Sequence, residues 1–141
     1  MSMIAVRINV EKLEDLQSLS QPDLIEAVSQ GLPAEFARQL AASLEISLDQ
    51  AATLLRLTPR TLQRRLEQGR LELAESERLW ELARLLFRAR EVLESEPGAV
   101  QWLKSPIQAL GWKPPLALAQ TVVGLREVEN VLGRIEHGVF S

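Results

Sequence analysis

The chain has 141 residues with 16 basic and 19 acidic side chains, a formal net charge of −3. That length holds one domain of ordinary size or two small helical subdomains, and an apolar fraction of 46% with only 4% aromatics makes any core mostly aliphatic. Cysteine is absent, which excludes disulfides and thiolate metal sites and fits a reducing, cytoplasmic setting; no apolar run approaches the roughly 20 residues of a membrane span, and the start does not read as a signal peptide.

In chain order, residues 3–10 ("MIAVRINV") alternate weakly and read as a short strand or a disordered arm, so residues 1–20 form an N-terminal arm. Ser20 and Pro22 open a helix, "PDLIEAVSQ", that Gly31 stops. Pro33 opens the next, with Phe36, Leu40 and Leu44 on one apolar face. Ser47 with Gln50 three residues on is a capping box, and it begins "LDQAATLLR". Thr58-Pro59 opens another helix, with Leu62 and Leu66 inward and Gly69 at its end. A long amphipathic helix follows from 72 to about 93, with Leu79, Ala83, Leu86 and Arg90 at helical spacing. "SEPGAV" reads as a boundary, dividing a helical domain over 21–95 from a second over 96–141. There Pro106, Pro114 and Pro115 open short helices, and Val122, Leu125, Val128, Leu132 and Ile135 form the apolar stripe of a last one. The predicted fold class is all-α.

Charge is distributed unevenly. Residues 1–47 carry three bases and seven acids, whereas 56–70 carry Arg56, Arg60, Arg64, Arg65 and Arg70 against Glu67. Screening confines each patch's field to roughly 10 Å, so the local balance matters more than the total. The two short helices around that cluster, joined by about three residues, have the outline of a helix-turn-helix. Ala52 supplies the small residue where the helices cross, and Leu55, Leu57 and Leu62 the inner positions. The outer face of the second helix then begins with Arg60, Thr61, Gln63 and Arg64, which in this motif lie in the major groove. Arginine and glutamine pair with guanine and adenine edges; Arg56, Thr58 and Arg70 suit phosphate oxygens. Two positions depart from the usual pattern: Arg56 stands where glycine is common in the turn, and Arg65 where an inner aliphatic is common. The competing reading is a solvated face in which the arginines pair with Glu67, Glu72 and Glu75.

The second half, "WLKSPIQALGWKPPLALAQTVVGLREVENVLGRIEHGVF", resembles the antitoxins of the Xre/MbcA/ParS group. Trp102-Leu103, Pro106, Leu110-Gly111, Pro115-Leu116, Thr121, Gly124, Val128, Leu132, Arg134-Ile135 and Gly138 match in order and spacing, and the resemblance extends over about residues 30–141. Trp112 departs from it, since a second small residue is usual after Gly111. The resemblance implies a type II toxin–antitoxin system: a cytoplasmic antitoxin, not itself an enzyme, that binds a RES-domain, NAD-consuming toxin and represses their shared operon through its helix-turn-helix. It also implies a homodimer within a larger complex. One short recognition helix reads too few bases alone, which agrees, and residues 22–44 and the arm are candidate pairing surfaces.

The expected toxin-binding residues are Trp112 in its turn, Arg126, Glu129, Asn130 and Arg134 off the apolar stripe, and the tail His137, Gly138, Val139, Phe140 and Ser141. In that reading Gly138 releases the backbone from the helix and Phe140 enters the toxin's cleft; in the alternative, Phe140 caps its own domain. His137 is the only histidine, with no clustered acids or cysteines beside it, so neither a metal nor a proton-transfer role is expected. No glycine-rich phosphate loop, activated nucleophile or carboxylate pair suggests a catalytic site or a cofactor. The rival function is a plain helix-turn-helix transcription regulator whose second domain senses a ligand or dimerises.

Overall fold

The computed structural model describes residues 10–138. Its elements are a 3₁₀ helix Leu13–Ser18, α1 Gln21–Gln30, α2 Glu35–Leu44, α3 Leu48–Leu54, α4 Pro59–Gln68, α5 Leu73–Leu93, α6 Glu96–Lys104, a 3₁₀ turn Gln108–Leu110, α7 Pro115–Leu118 and α8 Val122–Glu136. Among the described residues there is no strand, only two isolated bridges, Pro33 with Arg70 and Ile107 with Lys113. The fold is all-α, as the sequence predicts.

Two compact units divide inside α5, between Glu81 and Leu82. Pro97 and Gly98 follow the break between α5 and α6. Those residues sit in the first turn of α6, where Ser95 caps the Gly98 amide at 3.0 Å. Proline has no amide to lose there, so it starts the helix.

In the first unit, residues 13–18 of the expected arm form a 3₁₀ helix. Asp15 accepts the Glu11 and Lys12 amides, and the Leu13 amide donates to Gln39 at 2.7 Å. Leu13 and Leu16 are fully buried with Phe36, Leu40, Leu44, Leu55 and Leu62. Each such burial stabilises by about 1.5–3 kcal/mol. The capping signals act where the spacing places them. Ser47 and Gln50 exchange both hydrogen bonds of the box, at 2.8 and 3.0 Å, and Thr58 accepts the Thr61 amide at 3.1 Å.

In the second unit, α6 and α7 pack together and α8 packs on α7 and on the 3₁₀ turn. Thr121 caps α8 through the Gly124 amide at 2.9 Å. The buried stripe of α8 is Leu125, Val128, Val131 and Leu132. Val122, expected in that stripe, is exposed instead, because it is the first residue of the helix and lies beyond the core. Arg84 and Arg88 on α5 pair with Glu129 and Glu136 of α8, both at 2.6 Å.

Candidate functional site

The helix-turn-helix is built from α3, the turn at 55–58 and α4. Ala52 is fully buried, and the Leu57 amide donates to its carbonyl at 2.8 Å to close the turn. Arg56 sits at φ 63°, the left-handed region in which a glycine would be unstrained. A non-glycine residue there costs about 1–3 kcal/mol. Its side chain is exposed.

On α4 the cations separate into two groups. Arg60, Gln63 and Arg64 are exposed, and Thr61 is half-buried with its hydroxyl against that of Thr58 at 3.0 Å. Arg65 turns inward and is 9% exposed. Its Nε donates to Glu75 Oε1 at 2.8 Å and one terminal nitrogen to Oε2 at 2.9 Å, a two-pronged pair, with Glu72 at 3.5 Å on its outer side. Burial pushes the Glu75 carboxyl up, but the Arg65 guanidinium and the Glu72 amide together hold it below the usual carboxylate value. The Arg65 pKa is raised, first by that hydrogen bond. The inner position that the sequence leaves without an aliphatic is therefore filled by an ion pair: Glu72 and Glu75 do pair with an α4 arginine, but with the buried Arg65 and not on a solvated face. Arg70 is placed differently from the other candidate phosphate contacts: its guanidinium donates to the Gly31 carbonyl across the unit.

In the second unit, Trp112 is 66% exposed at φ 64°, in the turn closed by the Trp112 amide on the Ile107 carbonyl. Along α8, Arg126, Asn130 and Arg134 are exposed and share a face with Val123, which is 81% exposed. Glu129 is half-buried and engaged with Arg84, while Arg134 lies 3.8 Å from Glu127. His137 caps the helix and Gly138 turns at φ 69°. Val139, Phe140 and Ser141 lie outside the described residues. A cleft of about 500 Å³ beside this face is lined by Ile107, Gln108, Ala109, Val131 and Ile135. Among the described residues no cluster of histidines and acids has metal-binding geometry.

Comparison with known proteins joins the two halves. The family model for the antitoxin Xre-like helix-turn-helix domain matches residues 23–84, and that for the antitoxin Xre/MbcA/ParS C-terminal toxin-binding domain matches residues 88–138. The chain belongs to the Xre antitoxin family. It is 39% identical over 79 residues to an antitoxin Xre of Yersinia enterocolitica, a match covering 55% of this chain and 53% of that protein. It is 29% identical over 126 residues to an antitoxin Xre of Photorhabdus laumondii, covering 88% of this chain and 85% of the relative. It is also 26% identical over 137 residues, covering 89% and 86%, to a protein of Sphingobium named Prs ADP-ribosylating antitoxin. The chain thus spans about half the length of the Yersinia relative it matches.

Within the Xre frame, α3–α4 is the helix-turn-helix, and Trp112 and the outer face of α8 belong to the toxin-binding domain. Sequence reasoning missed two features of this antitoxin. Val123 carries no signal in the stripe because its neighbour Val122 absorbs the apolar periodicity. Arg78, 3% exposed, donates through Nε to the Leu54 carbonyl at 2.7 Å and so caps the end of α3. Burial lowers its pKa first, and Arg56 beside it adds to that. No helix among the described residues is long and apolar enough to cross a membrane.

Proposed function

We propose that this antitoxin silences a RES-domain, NAD-consuming toxin by direct contact and represses its own operon through α4, acting in the cytoplasm as a homodimer and without catalysis of its own. The observation that carries the DNA half is the exposure of Arg60, Gln63 and Arg64 on the outer face of a capped second helix, the geometry that delivers side chains to base edges. Arg56 and Thr58 flank them, suited to phosphate contacts, and Arg70 contributes a further positive charge at the far end of α4.

For the toxin half, support comes from the resemblance over residues 30–141 and from the Sphingobium relative, whose name joins an antitoxin to ADP-ribosylation, a reaction that consumes NAD. The contact face is Trp112 with Arg126, Asn130 and Arg134, with Glu129 held at its edge by Arg84. The segment after Gly138 obstructs the toxin's active site. A ligand-sensing regulator is less well supported, because Gln108 is the only polar side chain among the described residues lining the cleft beside α8, and small-molecule sites need several convergent polar groups.

The test is co-expression with the toxin encoded beside the gene. The full chain should restore growth and co-purify with the toxin. Removing residues 137–141 should release toxicity while DNA binding persists; undiminished protection by the shortened chain rejects the obstruction. Purified antitoxin alone should leave NAD intact.

A further inference from the structure

The inner face of α4 contains one fully buried aliphatic, Leu62, with Leu66 only half-buried. Apolar contact is non-directional, so one leucine fixes the depth of a helix but not its rotation. What supplies direction is the pair one turn further along. Both prongs of Arg65 meet both oxygens of Glu75, at 2.8 and 2.9 Å. Such planar, paired hydrogen bonds weaken quickly when either partner rotates. Glu75 is itself held, since Oε1 also accepts the Glu72 amide at 2.9 Å in the first turn of α5. One turn on, Arg78 of α5 holds the end of α3 through the Leu54 carbonyl. Both helices of the motif are therefore referenced to α5 by hydrogen bonds.

We infer that Arg65 and Glu75 are positioning residues that set the rotation of α4 about its axis, and with it which bases Arg60, Gln63 and Arg64 read. The inference rests on the DNA-binding reading of α4. A rotation of about 20° carries a side-chain end 5–6 Å from a helix axis through roughly 2 Å, enough to lose a base-edge hydrogen bond. Stability is not what the pair chiefly supplies, because a buried ion pair is often matched by apolar residues of similar volume. Directional registry is what such residues cannot replace.

The decisive variant is Arg65→Met/Glu75→Leu in the full chain. It leaves net charge unchanged, so phosphate attraction and its salt dependence should stay as they are. Binding is measured to the duplex that the wild-type chain enriches from a randomised pool, and to a scrambled duplex of the same composition. The double variant should melt no lower than wild type, bind the scrambled duplex as well and with the same salt slope, and lose roughly tenfold of its preference for the enriched duplex, the share of one base contact. A purely structural role would move the melting temperature and leave the preference alone. Arg65→Lys keeps the charge but loses the fork, so it should lose preference too, and it carries the comparison if the double variant does not fold. Preference unchanged in whichever variants fold overturns the inference while leaving DNA binding intact. A wild-type chain that enriches no duplex overturns both.

Discussion

Gly124 offers a sharp quantitative test of the second unit. It stands in the first turn of α8, and a Cβ built on it would lie 1.9 Å from the Leu118 carbonyl oxygen and 2.7 Å from its carbon. Both are backbone atoms at the end of α7, so no side-chain rotation relieves the clash. Gly124→Ala must push α8 away from α7, disturbing the Thr121 cap on the Gly124 amide. Overpacking of this kind costs about 1–3 kcal/mol or more, and a lost cap adds about 1. For a unit of this size each kcal/mol moves the midpoint by about 4–8 °C, so the unit should melt roughly 10–30 °C lower. Gly133 on the same helix is the control: a Cβ there meets nothing within 4 Å. Gly133→Ala should raise the midpoint, because alanine is favoured over glycine in a helix by about 1 kcal/mol. The assay is thermal unfolding by circular dichroism of the full chain and both variants. Equal midpoints for the two would refute the packing of α7 on α8.

Three further outcomes follow. Arg56→Gly should relieve the left-handed strain and stabilise by about 1 kcal/mol in denaturant titration, yet weaken binding to all DNA sequences and flatten its salt dependence; Arg64→Ala should instead cost about 1–3 kcal/mol and blur preference at one base position. Trp112→Ala should lose toxin neutralisation at an unchanged melting temperature, since the ring is mostly exposed. The Glu75 carboxyl lies below its ordinary value of 4.5 when folded. Its contribution to stability is therefore complete above the unfolded pKa and lost as pH falls through the lowered folded one. Acid titration of unfolding should show a flatter loss below about pH 4.5 for Glu75→Gln than for wild type.

Most of the helix-turn-helix was legible in the sequence because its ends are local. Ser47 with Gln50, and Thr58 with Pro59, specify their helix starts within four residues, and both caps form. Arg65 was legible as an anomaly and its acids as candidate partners, but not their burial or which arginine they take, since Glu75 lies ten residues on in another helix. The positive φ of Arg56 was foreshadowed by the glycine usual at that place. Leu13 and Leu16 gave too short a pattern to name a 3₁₀ helix whose burial depends on α2. Pro97-Gly98 can break one helix or begin the next, and Ser95 decides for the start of α6. On α8 helical spacing alone puts Val122 in the apolar stripe, whereas the buried stripe begins at Leu125 and includes Val131.

A single variant separates the two roles most directly. Arg60→Ala/Arg64→Ala alters only exposed side chains of α4, and the same preparation can be assayed for duplex binding and for protection of cells expressing the toxin. Loss of sequence-selective binding with protection intact is the predicted result. If duplex binding is unimpaired, α4 is not the DNA-reading element of this antitoxin; if protection disappears along with binding, the two roles are not carried by separate surfaces.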